Sequence, residues 1–356
     1  MTKKFDTLVF IGRMQPFHNG HKAVIDKALE NAHEVVVVLG SCFQARSTKN
    51  PFTFVERKAM IDAVYGNQFD YAGSQGRIKT PRVKVVPVMD YPYDDNAWVS
   101  AVQNVVNGAI TSSGWSDYPK KVGLIGHSKD SSSYYLKIFP QWRNHVEVEN
   151  VDDINATDIR NVMFQGGIQS EKLPQQVLNW SCQIPETNWW KTLSFEYKQI
   201  IDYCEKSQMK GFDFPSVFVT TDAVLTQSGY ILLIKRGGFP FKDCWALPGG
   251  YLDKGQFIVD NMIKELREET CVKIPAKVLK GSIKDVQIFD HPDRDPRGRV
   301  ITHGFHIDLG YPDEKLPKVK GADDAKEARW FHLSEVTSEM MAFDHYHVIK
   351  KFISTY

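Results

Sequence analysis

Cysteine is scarce. The 356 residues hold five, Cys42, Cys182, Cys204, Cys244 and Cys271, widely scattered and never paired as C-x-x-C. That spacing fits neither a disulfide framework nor a zinc site, and it suits a reducing compartment. Long hydrophobic runs are missing as well: no stretch approaches the ~18–20 apolar residues that a spanning helix needs. The start, Met1-Thr2-Lys3-Lys4-Phe5-Asp6, carries no signal-peptide apolar region. Nor is there an excess of either charge, since 44 Lys and Arg stand against 43 Asp and Glu, a formal net of +1. Neither half is polarised, so no basic tail argues for nucleic acid and no cationic segment for a membrane. Low-complexity tracts are lacking too, and a hydrophobic share of 42% is that of an ordinary folded chain. The expectation is a soluble, cytoplasmic globular protein with neither nucleic acid nor membrane as partner.

At ~100–200 residues per domain the length predicts two domains. The first stretch alternates strands (residues 7–12, 35–40, 83–88, 121–125) with helices (22–31, 54–65, 98–110). The run Val35-Val36-Val37-Val38-Leu39-Gly40 is continuously apolar, the mark of a parallel strand buried on both faces. This order predicts a doubly wound α/β domain over residues 1–170, whose ligands sit beyond the carboxyl ends of the strands. Residues 171–211 read as a structured connector: they include Trp189-Trp190 and a helical pattern from 191 to 206, and flexible linkers seldom carry so many aromatics. Beyond them the pattern changes to hairpins. Strands at 217–225 and 230–235 flank the turn signal Gln227-Ser228-Gly229, one long helix spans 257–270, and later strands fall at 286–289, 300–309 and 328–331. Residues 212–356 therefore read as α+β with a mixed sheet.

Two stretches carry chemistry. In the first, Gly12-Arg13-Met14-Gln15-Pro16-Phe17-His18-Asn19-Gly20-His21 joins a strand end to a helix start, where backbone N–H groups and the helix dipole favour anions. His18 and His21 are three apart and face the same side, placed to hydrogen-bond a polyphosphate as charge develops. Alternatively they are loop and capping residues. Arg160 is a fork donor suited to phosphate, Thr157 is a candidate N-cap for its helix, and Arg13, Arg46 and Lys49 are basic groups nearby. Trp98 serves equally as core or as a stacking surface.

The H-x-G-H element resembles that of the nucleotidylyltransferase superfamily, and its longer form resembles the archaeal-type nicotinamide mononucleotide adenylyltransferases. Asn50-Pro51-Phe52-Thr53 with Glu56-Arg57, then Asp90 with Asn96-Ala97-Trp98, then Asn155-Ala156-Thr157-Asp158-Ile159-Arg160 follow in the family's order. The resemblance covers residues 5–165 and implies a Rossmann-like fold. It implies ATP contacts from Gly12, Arg13, His18, His21, Asn155, Thr157 and Arg160, and an adenine-ribose loop at Gly126-His127-Ser128-Lys129-Asp130. Asp90, Asn96 and Trp98 are implied to hold the nicotinamide nucleotide. The reaction implied is attack of that nucleotide's phosphate on the α-phosphorus of ATP, giving a dinucleotide and pyrophosphate with Mg²⁺ on the phosphates. Positioning and charge stabilisation then do the catalysis, with His18, His21, Arg13 and Arg160 as the acting groups.

In the second stretch, Leu247-Pro248-Gly249-Gly250 leads into a helix with Glu265, Glu268 and Glu269 on one face. Three crowded carboxylates call for hard divalent cations, or they form a solvated acidic face. The pattern resembles the Nudix box, G-x5-E-x7-R-E-U-x-E-E-x-G-U. Gln256, Lys264 and Cys271 depart from it at the first Glu, the Arg and the last Gly, which puts in doubt the ion pairing that braces loop to helix. The stretch 290–299, with Arg294, Arg297 and Arg299, and the later Asp323, Asp324 and Glu327 resemble ADP-ribose pyrophosphatases of that superfamily. The resemblance covers residues 213–350. It implies metals, Mg²⁺ or Mn²⁺, on Glu265, Glu268 and Glu269, and ADP-ribose held by Gly249, Gly250, Arg297 and Arg299. A base or further ligand comes from Asp323, Asp324 or Glu327.

Together the chain resembles the bifunctional bacterial family that joins these two enzymes, one making NAD⁺ and the other cleaving ADP-ribose. Two alternatives stand beside this expectation. The three departures favour a Nudix domain that binds ADP-ribose as a regulatory module without cleaving it. The first domain could also serve a flavin or pantetheine precursor, against which Asn96 and Trp98 argue.

Overall fold

Strands and helices alternate through the first half: β1 (Phe5–Gly12), α1 (Asn19–Asn31), β2 (Ala32–Leu39), α2 (Phe54–Tyr65), β3 (Phe69–Ala72), β4 (Ile78–Pro81), β5 (Val83–Pro87), α3 (Asp95–Thr111), β6 (Val122–Gly126), β7 (His145–Glu147) and α4 (Ala156–Phe164). This computed structural model describes residues 3–67, 69–72, 78–111, 121–126, 136, 138–142, 145–148, 154–207, 216–311 and 315–353. It divides into two compact units, Met1–Ser194 and Phe195–Tyr356.

In the first unit five strands lie in the order β5-β2-β1-β6-β7, each neighbouring pair parallel. Val35 to Leu39 are all 0% exposed, as a strand covered on both faces must be. Parallel order brings the ends of β1, β2 and β6, at Gly12, Leu39 and Gly126, to one edge of the sheet. α2 starts where the periodicity places it because Thr53 caps it and Glu56 reaches back to the cap. α1 begins three residues earlier than its apolar pattern indicates, because His18 is its cap. The antiparallel hairpin β3–β4 has no counterpart in the sequence reading.

Two further helices follow, α5 (Gln175–Ser181) and α6 (Asn188–Ser207). Trp180, Trp189 and Trp190 from this segment surround Phe52 of the first unit, which is 2% exposed.

The second unit contains β8 (Val217–Gln227), β9 (Tyr230–Arg236), β10 (Trp245–Ala246), β11 (Gly249–Tyr251), α7 (Ile258–Thr270), α8 (Ala276–Gly281), β12 (Ile283–Phe289), β13 (Arg299–Asp308), β14 (Ala325–His332) and α9 (His345–Ile353). The sheet runs β10-β9-β8-β13-β12, with β11 on β8 and β14 on β9. Only β8–β13 is parallel among these pairs, so the sheet is mixed as expected. Ser228 and Gly229 both take positive φ, the twist that joins β8 tightly to β9. Met262, Ile263 and Leu266 of α7 pack into the core below the sheet. Among the described residues no helix is long and apolar enough to cross a membrane.

Candidate active sites

At the carboxyl end of β1, His18 and His21 cap α1 reciprocally: the Nδ1 of each accepts the other's backbone N–H at 3.4 Å. Their rings stack with centroids 3.7 Å apart. With Nδ1 occupied as acceptor, the neutral tautomer of each ring carries its proton on Nε2. Two Nε2–H donors thus sit in the first turn of a helix, where an anion is favoured. The geometry that caps α1 is thus compatible with a contact to an anion. Gly20 between them leaves the ring room, since a Cβ there would meet His18 Cε1 at a tight 3.0 Å.

Arg160, buried at 7% exposure, reaches the same loop from α4. It donates to Gln15 O at 2.7 Å and to Thr157 Oγ1 at 3.2 Å. Its pKa falls to about 10 through burial and the nearby charge of Arg13. No carboxylate among the described residues pairs with either guanidinium, so the pair is set for an anion. Thr157 is not the helix cap. Asn155 is, its side chain accepting the Asp158 N–H at 2.8 Å, which leaves the Thr157 hydroxyl to accept from Arg160.

Asp90 accepts both the backbone N–H of Ser41, at 2.9 Å, and its hydroxyl, at 2.6 Å, and so anchors the turn after β2. Arg57, fully buried, binds the same turn through the carbonyls of Gly40 and Ser41. Asn96 is exposed in the first turn of α3, and Trp98 is half-buried with its ring 5.9 Å from Phe139. Arg46 is committed elsewhere: it forks onto Glu56 and lies 4.0 Å over the Trp189 ring. Gly126 ends β6, while residues 127–130 lie outside the described residues.

The second site forms around α7. Glu269 is 5% exposed, accepts the Gly249 N–H at 2.8 Å, and has its pKa pushed up to about 8 by burial, with the charge of Glu265 adding to the rise. Burial also raises Glu265. Gly250 lets the loop lie against Glu265, whose Oε2 would stand 2.5 Å from a Cβ there. Among the described residues no three His, Cys, Asp or Glu side chains are gathered as a metal ligand set. Lys264 supplies the positive charge instead, 3.2 Å from Glu265, 3.1 Å from Glu268 and 3.0 Å from Asp253.

Those contacts answer the doubt about bracing. Gln256 is exposed and takes no part, but Asp253 gives Lys264 a loop partner. Asn261, fully buried, accepts the Asp253 N–H at 3.0 Å and donates to Tyr251 O at 3.1 Å. Cys271 holds the motif's glycine position with φ 52, in the left-handed helix cap that favours glycine.

A cavity beside Glu269 is lined by Gly249, Gly250 and Arg297 among the anticipated residues. Arg299 is not there; it binds Asp290 on the surface. Of the three acidic loop residues only Asp324 lines the cavity. Sequence reasoning missed Arg236, Tyr251, Phe343 and His345 in its wall. Arg297 lies over the rings of Tyr251 and Phe343, at 5.6 and 5.5 Å. His345 Nδ1 accepts the Leu247 N–H at 2.9 Å, pinning the start of the Pro-Gly-Gly turn.

These features define a two-domain chain, a nucleotidylyltransferase-type α/β unit followed by a Nudix unit. A cytidylyltransferase-like family model matches residues 9–162 and a NUDIX domain model matches 217–352. A nicotinamide/nicotinic acid mononucleotide adenylyltransferase of Acinetobacter baylyi is 38% identical over 196 residues, 55% of this chain and 95% of that one. An ADP-ribose pyrophosphatase of Methanocaldococcus jannaschii is 36% identical over 156 residues, 44% of this chain and 83% of that one. The crystal structure of a bifunctional NMN adenylyltransferase/ADP ribose pyrophosphatase from Francisella tularensis, complexed with AMP and a Mn ion, superposes with a TM-score of 0.87 at 31% identity, covering 99% of both chains. The chain belongs to this family of bifunctional NMN adenylyltransferase/ADP-ribose pyrophosphatases.

Proposed function

We propose that the first unit joins nicotinamide mononucleotide to the adenylyl group of ATP, giving NAD⁺ and pyrophosphate. The second unit hydrolyses ADP-ribose to AMP and ribose 5-phosphate. What supports the first assignment most is Arg160: a buried guanidinium that pairs with no carboxylate among the described residues, beside Arg13 and the paired histidines. A polyphosphate supplies the missing negative charge, and the same donors stabilise charge as pyrophosphate leaves. Gly12, Gly126, Asn155 and Thr157 complete the ATP cradle. Asn96 and Trp98 face the nicotinamide nucleotide, and Asp90 acts through the turn at Ser41. No side-chain nucleophile is required, because the attacking atom is a substrate oxygen.

In the second unit the oxygen donors of Glu265, Glu268 and Glu269 suit a hard divalent cation, and Glu269's raised pKa marks a carboxyl that a nearby cation would ionise. Those carboxylates would hold Mg²⁺ or Mn²⁺, which would supply an activated water and positive charge toward the pyrophosphate. Arg297, Gly249 and Gly250 hold the substrate, and Asp324 is the acidic loop residue placed to assist. Lys264's hold on Glu265 and Glu268 favours a second reading, in which this unit binds ADP-ribose without cleaving it.

One experiment separates them. The full chain is incubated with ADP-ribose and Mn²⁺, and in parallel with ATP, nicotinamide mononucleotide and Mg²⁺. We expect AMP from the first mixture and NAD⁺ from the second. AMP no higher than that from Glu269→Gln, with ADP-ribose still bound, establishes the sensor reading instead.

A further inference from the structure

We infer that Trp190, which lies beyond residues 9–162 matched by the cytidylyltransferase-like model, is a positioning residue of the adenylyl-transfer site. It holds Arg160 in place through a closed circuit of contacts, and the inference rests on the adenylyltransferase reading above. The circuit starts at the Arg160 guanidinium, which donates to Gln15 O at 2.7 Å. Gln15's side-chain amide grips Phe52 twice, donating to its carbonyl at 2.8 Å and accepting its N–H at 2.9 Å. The Phe52 ring lies within 7° of parallel to Trp190, centroids 6.1 Å apart. Trp190 also stacks on Phe164, at 4.5 Å and 6°. Phe164 is on α4, one turn beyond Arg160, so the circuit returns to its start.

Each link is buried. Gln15 and Phe52 are 2% exposed, Trp190 3% and Phe164 4%. A guanidinium with no carboxylate partner among the described residues stays aimed while the groups it grips, Gln15 O and Thr157 Oγ1, are held still. Gln15 O is held by the grip of its own side chain on Phe52, and Phe52 by Trp190. An ordinary core residue would support the unit as a whole. Trp190 instead touches both ends of the path that runs through Gln15 to Arg160, so its loss is felt at the triphosphate before it is felt elsewhere.

The test is steady-state dinucleotide synthesis by the full chain. Trp190→Ala is expected to raise the KM for ATP about tenfold while that for nicotinamide mononucleotide moves by less than about twofold. Trp190→Phe, which keeps a ring between Phe52 and Phe164, restores most of the loss. On an Arg160→Met background Trp190→Ala adds no further rise, because both changes remove the same interaction. Should Trp190→Ala fail to fold, Gln15→Met breaks the same circuit and is expected to show the same ATP-selective rise. An unchanged KM for ATP in either variant, equal losses for both substrates, or additivity with Arg160→Met overturns the inference. A wild-type chain that makes no dinucleotide overturns the adenylyltransferase reading itself.

Discussion

Glu196 shows how one buried carboxyl sets a pH dependence. It is 3% exposed, and one oxygen accepts the Phe241 N–H at 3.3 Å while the other has no partner among the described residues. Burial pushes its pKa to about 7 from an ordinary 4.5, although Arg236 nearby favours the charged form. Because the folded pKa lies above the unfolded one, the proton stabilises the fold. That contribution is complete below about pH 4.5 and is lost as pH rises through 7. The difference amounts to something on the order of 3 kcal/mol between pH 4 and pH 9. Glu196→Gln keeps an acceptor for Phe241 and carries no titrating proton. We expect urea melts of this variant to show a midpoint at pH 8 above that of the wild type, with the two converging near pH 5. Equal midpoints at both pH values would show that Glu196 stays ionised in the fold.

At the scale of elements, legibility followed the range of the forces involved. β2 and α2 were readable because an unbroken apolar run and the Thr53–Glu56 capping pair are local signals. The walls of the Nudix cavity were not, because Arg236, Tyr251, Phe343 and His345 come from separate parts of the chain that only sheet pairing and helix docking bring together. The brace between the glycine turn and α7 was legible only as a loss. Gln256 and Lys264 looked like a broken pair, whereas the ladder of β11 on β8 and the buried Asn261 bring Asp253 to Lys264. This rearrangement makes Lys264 a resident cation on the acidic face, its own pKa raised by hydrogen bonds to Asp253, Glu268 and Glu265. Lys264→Met should leave the carboxylates more repulsive without metal and more dependent on an added cation. We expect MnCl₂ to raise the Tm of Lys264→Met by more than it raises that of the wild type. An identical Mn²⁺ response in the two proteins would show that the lysine does not compete for those oxygens.

For the whole molecule, a formal net charge of +1 first argued only against nucleic acid and membranes. It is the average of two sites with opposite demands. For one we propose Arg13, Arg160 and the two histidines as donors to a phosphate. At the other, Lys264 holds Glu265 and Glu268, and Glu269 is buried against the Gly249 turn. Their residues do not mingle: the groups at the first site run from Gly12 to Arg160, and those lining the second cavity run from Thr220 to His345. Sharing one chain therefore demands no shared chemistry. Removing one site's charge should silence one reaction only. Arg160→Met is expected to lower kcat/KM for dinucleotide synthesis at least about a hundredfold, the scale for losing a preorganised donor to a developing charge, and to leave ADP-ribose hydrolysis within about twofold of wild type. Glu269→Gln is expected to do the reverse. Equimolar mixing of the two variants should then recover both rates per active site, as measured by NAD⁺ and AMP formation in one tube. A mixture that falls well short of the wild-type chain would mean that the two reactions depend on each other within a single molecule.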